Sequence, residues 1–228
     1  MSQLLLDIAP DRRPTLDNFV VGRNLELLSA LRHALSGDSS ERFFYVWGGT
    51  GSGKTHLLQA CVSAAQDMQQ SAIYAQGNVP PRVLDMGATM VAVDDVWQLD
   101  DAAQIGLFDL YNQMRDNGAM LLVSGMESPL HLKLRDDLRT RLGWGLVYQV
   151  HSLSDEEKAQ ALTQHAHSLG FVLPTEVTQY LLRHGRRDLP SLMAVLESLD
   201  AHSLRLHRPP TVPLLKEVLQ QTQEEKGA

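Results

Sequence analysis

Short apolar runs with strand character alternate with amphipathic helical stretches through the first two thirds of the chain, and then the strand signal stops. The runs fall at 43–47, 71–75, 90–94, 120–124 and 146–150, and helical spacing of apolar residues occupies 24–34, 54–69, 102–117 and 136–141. Such alternation predicts an α/β fold with a parallel sheet and crossover helices. Beyond residue 150 only helical patterns follow, at 155–169, 175–184, 188–206 and 212–221. Ser154, Asp188 and Thr211 stand where N-caps belong, and Pro174, Pro190 and Pro213 fall where first-turn prolines are tolerated. Residues 1–16, interrupted by Pro10 and Pro14, lack such periodicity and predict a flexible tail. The expected organisation is therefore a tail (1–16), a nucleotide-binding domain (17–151) and a small helical domain (152–228).

Between the first strand and its following helix lies Gly48-Gly49-Thr50-Gly51-Ser52-Gly53-Lys54-Thr55, which fits G-x-x-x-x-G-K-[ST] in the strand-to-helix setting that gives this motif its meaning. Glycines let backbone amides curl around phosphate oxygens, and the helix N-terminus adds partial positive charge. Lys54 would reach the β- and γ-phosphates, and Thr55 would ligate Mg²⁺. The third run, Met90-Val91-Ala92-Val93, ends in Asp94-Asp95. Asp94 is the candidate to hold the metal and Asp95 to polarise water, the ligand being ADP or ATP with Mg²⁺.

Composition narrows the setting. The chain has 228 residues, 43% hydrophobic and 21% charged, with a net charge of −7 that disfavours direct attraction to nucleic acid phosphates. A single cysteine, Cys61, excludes an intramolecular disulfide and reads as a small apolar filler in the helix after the P-loop. No apolar run approaches the roughly 20 residues of a membrane span, and the N-terminus lacks a basic start, so a cytoplasmic protein is expected. The nine histidines show no metal-ligand spacing; His165 and His167 sit on different helix faces. Trp47, Trp97 and Trp144 read as core or interface packing rather than base-stacking groups.

Taken together, Leu16 to Asn24, Gly48 to His56, Asp94-Asp95 and Leu138-Arg139-Thr140-Arg141-Leu142-Gly143-Trp144-Gly145 resemble the ATPase core of the bacterial replication initiator DnaA over about residues 15–220. That resemblance implies the AAA+ fold, a five-stranded parallel sheet with a helical lid. It implies that Ser124 is the polar sensor facing the γ-phosphate and that Arg141 is the arginine finger offered to a neighbouring subunit's nucleotide, with Arg139 and Arg135 as alternatives in the same helix. The chain ends soon after the lid, where the initiator continues into a DNA-reading domain, so the nearer resemblance is to the shortened Hda-type regulators. These begin with a peptide that docks on the β sliding clamp, the β subunit of DNA polymerase III. Gln3-Leu4-Leu5-Leu6-Asp7-Ile8 resembles that peptide, with Gln3 at the pocket rim, Leu4, Leu6 and Ile8 as anchors, and Asp7 where a proline is common. The family's lid arginine aligns with Pro190, leaving Arg186 and Arg187 as substitutes. The implied function is inactivation of DnaA by promoting hydrolysis of its ATP, with DNA approached through the clamp and a homo-oligomer possible. A DNA-associated ATPase, such as a helicase loader or initiator paralogue, is the alternative.

Overall fold

The structure is a computed structural model in which residues 13–77, 87–186 and 188–224 are described. The clamp-type peptide at Gln3, Leu4, Leu6 and Ile8, and Arg187, lie outside the described residues. The chain forms two units, one ending at His151 and the other beginning at Ser152.

In chain order the first unit contains α1 (Leu25–Ser36), β1 (Phe43–Trp47), α2 (Lys54–Asp67), β2 (Ala72–Gln76), β3 (Met90–Asp94), α3 (Asp101–Asp116), β4 (Met120–Gly125), α4 (Asp136–Leu142) and β5 (Leu146–Gln149). Short 3₁₀ turns occupy Val96–Gln98 and Pro129–His131. The strands form one parallel sheet in the order β2-β3-β4-β1-β5. Every residue of β3 and β4 is buried, as expected of central strands covered on both faces. β5 lies at an edge and alternates between half-buried and exposed.

Alternation within each strand feeds two apolar layers. Phe44 and Val46 of β1 and Leu122 of β4 pack with Leu27, Leu28 and Leu31 of α1 and Leu57, Leu58 and Cys61 of α2. Tyr45, Leu121 and Val123 point the other way, to Leu107, Leu110, Tyr111 and Met114 of α3 and Leu138 and Leu142 of α4. Cys61 is fully buried and its thiol is pushed up to about 12 by burial, the filler role its position suggested.

Two expectations need correction. Strand β2 runs one residue later than the apolar pattern indicates, because Gln76 still pairs with Asp94 while the Ser71 carbonyl accepts from Thr89 and Met90. Residues 13–16, expected within a flexible tail, are held against α2: Arg13 donates to Ser63 Oγ at 2.9 Å, Asp67 Oδ1 at 3.0 Å and Gln66 Oε1 at 3.1 Å, and Leu16 is buried. Of the tryptophans read as core or interface groups, Trp47 packs half-buried on the core, and Trp97 and Trp144 are 51% and 60% exposed, outside the core clusters of the described residues.

The second unit comprises α5 (Asp155–Ser168), α6 (Thr175–His184), α7 (Leu189–Leu206) and α8 (Val212–Glu224) around Leu162, Val177, Leu181, Leu196, Leu199 and Leu215. Ser154 closes a reciprocal capping box with Glu157, and the Asp188 side chain caps α7 by accepting from the Ser191 N–H. Pro190 sits in the first turn of α7. Among the described residues no helix is long and apolar enough to cross a membrane, and no His, Cys, Asp or Glu cluster could hold a metal by itself.

Candidate nucleotide-binding site

The loop between β1 and α2 has the backbone that its glycines permit. Gly51 and Gly53 adopt φ of 76° and 102°, a region side-chain-bearing residues rarely enter. Close approach fixes two more features: a Cβ at Gly48 would lie 2.5 Å from the Val150 carbonyl, and one at Gly53 would lie 2.9 Å from the Phe19 ring. Gly49 faces open space, and Thr50 and Gly51 are exposed at the loop's tip.

Lys54 opens α2 and is only 7% exposed; its Nζ donates to the carbonyls of Gly48 at 2.8 Å and Gly49 at 3.0 Å. Burial lowers its pKa, opposed by the charges of Asp95 and Asp94. Ser52 Oγ is buried without a protein partner, an orphaned donor inside the loop. Open backbone at Gly49, a buried ammonium, an orphaned hydroxyl and the N-terminus of a 14-residue helix together suit a polyphosphate.

Behind the loop the carboxyl ends of three strands converge on Asp94, which is fully buried. One of its oxygens accepts from Thr55 Oγ1 at 2.7 Å and from the Tyr74 hydroxyl at 2.9 Å, and the other accepts a short hydrogen bond from Ser124 Oγ. Ser124 Oγ in turn accepts the Asp95 N–H at 3.0 Å. A buried carboxylate held by three hydroxyls is compatible with its charge. With Thr55 beside it, the donor set is all hard oxygen, which suits Mg²⁺. Asp95 takes a left-handed conformation at φ 56°, ψ 48°, and accepts from the Trp97 indole N–H at 3.3 Å. The structure thus brings Lys54, Thr55, Asp94, Asp95 and Ser124 together. Tyr74 was not foreseen: an aromatic within a β-type run reads as core, and only its hydroxyl's need for a partner hinted otherwise. Burial, then the Asp94 charge, raises its pKa.

The three arginines of the α4 region separate sharply. Arg135 is bound in bidentate fashion to Asp137, at 3.2 and 2.8 Å, and Arg139 pairs with Asp136 at 2.8 Å. Arg141 has no carboxylate within ion-pair distance among the described residues. Its guanidinium carbon lies 4.1 Å from the ring centre of Trp144, 5.6 Å from that of Phe108 and 5.8 Å from that of Tyr111. In the second unit, Pro190 offers no donor to a phosphate, while Arg186 is exposed and lies 3.7 Å from Asp188.

Comparison with known proteins gives a consistent picture. The family model "Bacterial DnaA ATPAse domain" matches residues 11–77, and "Hda, lid domain" matches residues 155–219. A Haemophilus influenzae protein described as uncharacterized is 37% identical over 231 residues, covering 95% of this chain and 98% of its own. Among solved structures, domain III of Thermotoga maritima DnaA superposes with a TM-score of 0.74 at 19% identity, covering 92% of this chain and 97% of that one. AMPPCP-bound DnaA from Aquifex aeolicus gives 0.71 at 22%, covering 82% and 65% respectively. The Thermotoga maritima RuvB branch migration motor gives 0.67 at 16%, covering 92% and 72%. The chain covers 66% of a DNA replication initiation factor and 65% of a DnaA bound to AMPPCP and single-stranded DNA, about two thirds of each of those longer chains. These likenesses establish the AAA+ fold, with its five-stranded parallel sheet and helical lid.

Proposed function

The chain belongs to the DnaA-related AAA+ family, with a lid of the Hda type, and from that membership we propose that it is a negative regulator of replication initiation acting on ATP-bound DnaA. Held on the β sliding clamp by Gln3, Leu4, Leu6 and Ile8, it presents Arg141 to the nucleotide of DnaA and promotes hydrolysis there, leaving inactive ADP-DnaA. DNA is reached through the clamp.

One observation carries the reading: of the three arginines around α4, Arg141 alone has no carboxylate partner among the described residues. An arginine finger must deliver a full charge and free N–H donors to a phosphoryl group in another chain, and a neutralised guanidinium cannot. The chain's own P-loop has the complementary task of keeping its shell organised. Gly48 to Thr55 binds ADP or ATP, with Lys54 turning its ammonium from loop carbonyls to phosphate. Mg²⁺, held by Thr55 and Asp94, supplies charge neutralisation between the phosphates when bound. Ser124 keeps Asp94 in place from its far oxygen and lends its hydroxyl toward the γ-phosphate end, while Asp95 is the base that orients water. Pro190, which the resemblance places at the lid arginine, carries no cation itself, which fits a protein whose own turnover is weak unless Arg186 or Arg187 substitutes.

The test uses DnaA loaded with labelled ATP and the regulator added with clamp-loaded DNA. Wild type should convert DnaA to its ADP form. Arg141→Ala should lose most of the stimulation, about 10³-fold or more if the finger resembles others. Deletion of residues 1–8 should abolish clamp binding and the activity together, and Arg135→Ala and Arg139→Ala should stay within about twofold of wild type, the range of weak surface pairs. If wild type, Arg141→Ala and the deletion all leave the initiator's ATP equally intact, the reading is lost.

A further inference from the structure

We infer that Trp144, backed by Tyr111 and Phe108, is a positioning residue that preorganises Arg141 for a phosphate on a partner chain. The inference rests on the proposed role of Arg141 and adds how this chain prepares that side chain before the partner arrives.

The argument starts from the turn that ends α4. Gly143 caps the helix, and the Trp144 N–H donates to the Arg141 carbonyl at 3.1 Å, curling the backbone so that the indole returns over the residue three before it. Gly145 presses so closely on β1 that a Cβ there would overlap the Phe43 carbonyl and lie 2.7 Å from the Phe43 Cβ. The indole is therefore fixed at its backbone on both sides, by a helix end and by a strand contact. It nevertheless stays 60% exposed. Of the three rings within cation–π reach of the Arg141 guanidinium, this indole is the closest, its centre 4.1 Å from the guanidinium carbon.

Tyr111 is buried and Phe108 half-buried on α3, one helical turn apart on a common face. Their ring centres lie 5.8 and 5.6 Å from the Arg141 guanidinium carbon, within reach of cation–π attraction. The chemistry of the stack matters for function. A carboxylate partner would occupy the N–H donors in their own plane and cancel the charge, as it does for Arg135 and Arg139. Aromatic rings attract the cation without taking up its N–H donors, leaving those donors and its charge available. Stacking thus removes rotamer freedom in advance while keeping the anion-binding edge intact. The ligand class that suits this edge is a phosphoryl group, which takes the planar fork in bidentate fashion.

The test has a spectroscopic and a functional arm, both on the full chain. Ring currents should move the Arg141 Nε–Hε resonance upfield, the signal being assigned by its loss in Arg141→Lys. Trp144→Ala should return it toward the position of the other arginines without changing the melting temperature, because the indole is mostly exposed. In the DnaA assay at saturating regulator, Trp144→Ala should lower the stimulated rate by about 3- to 30-fold, the range of a cation–π contact. Trp144→Phe, which keeps a ring over the cation, should recover most of that loss. An unshifted Arg141 resonance in the wild type overturns the inference. So does a saturating rate that Trp144→Ala leaves unchanged while Arg141→Ala abolishes it, an outcome that keeps the regulatory reading intact. If Arg141→Ala itself retains the wild-type rate, the regulatory reading is what fails.

Discussion

Replacing Lys54 by Met separates what this side chain does for the fold from what it does for a ligand, and the two effects have different signs. In the fold its ammonium is 7% exposed, and burial lowers its pKa despite the nearby charges of Asp94 and Asp95. A base whose folded pKa lies below its ordinary value has its charged form disfavoured by folding, so at neutral pH that charge works against stability. Against this stand two hydrogen bonds to the Gly48 and Gly49 carbonyls, each contributing about 1 kcal/mol net. The two effects largely cancel, and Lys54→Met should melt within about 4 °C of wild type without nucleotide, the shift expected from about 1 kcal/mol in a chain of this length. With Mg²⁺-nucleotide at 100 times its dissociation constant, wild type gains about 2.7 kcal/mol, or roughly 5–10 °C. Losing a charged contact to phosphate costs at least about 1.5 kcal/mol and weakens binding about tenfold or more. At the same ligand concentration the variant's gain then falls to about 1.4 kcal/mol or below, half the wild-type shift at most. Differential scanning calorimetry with and without ADP or ATP measures both quantities. A full-sized nucleotide shift in Lys54→Met, or a loss of more than about 10 °C without nucleotide, would refute the reasoning.

Three further outcomes are expected. The His56 imidazole, beside Phe19 and donating to the Thr15 carbonyl at 3.1 Å, has its pKa lowered chiefly by burial. Below about pH 6.5 the unfolded chain binds a proton that the folded one resists, so stability falls as pH drops through that value. Melting temperatures from pH 7.5 to 5.5 should decline less in His56→Gln than in wild type, and equal slopes would contradict the assignment. With its thiol pushed up to about 12, Cys61 has a thiolate fraction of about 10⁻⁴ at pH 8 and should react with a disulfide reagent only at the rate of unfolding; prompt labelling of the native protein would be the opposing result. Asn24 is 2% exposed and its amide both donates to the His151 carbonyl at 2.9 Å and accepts the His151 N–H at 2.7 Å. Asn24→Ala strands two backbone groups, costs about 2–4 kcal/mol and should lower the melting temperature by roughly 5–15 °C in calorimetry, and a drop under 2 °C would show the amide to be dispensable.

What could be read from the sequence divides along physical lines. Central parallel strands are buried on both faces, so β3 and β4 announce themselves as continuous apolar runs, and the phosphate loop is legible because only glycine serves at Gly51 and Gly53. Asp94 could be placed because it closes such a run at its carboxyl end, whereas Ser124 was reached only through the family resemblance. Tyr74 against Asp94, Arg13 on α2 and Asn24 against His151 could not, since each bond joins residues 20 to 127 positions apart and a polar side chain does not name its distant partner. Which of the three tryptophans lies in the core could not be read either, because exposure is decided by the turn that carries the residue rather than by its type.

Arg141 shows how far local spacing can mislead and why the tertiary fold decides. By helical spacing Asp137 and Arg141 are four residues apart, the arrangement in which an acid and a base on one helix ordinarily pair. The structure rejects that pairing. Asp137 turns back to Arg135, accepts both of its donors, and also accepts the Leu138 N–H at 2.8 Å; the Arg135 hydrogen bond leads the causes that hold its carboxyl below the usual range. A carboxylate so occupied has little left to offer a third donor, and Arg141 lies instead over Trp144 and the α3 aromatics. Competition for Asp137 therefore separates Arg135 from Arg141, while Arg139 is neutralised by a different acid, Asp136. Removing the competitor should reverse the sorting: in Arg135→Ala, Asp137 is released to reach Arg141 across one turn, so the Arg141 resonance should move away from its ring-shifted position. The same change should slow the stimulated reaction only to the extent that an exposed ion pair can draw the cation, about twofold, and a loss as deep as that of Arg141→Ala would mean that Arg135 carries the charge itself.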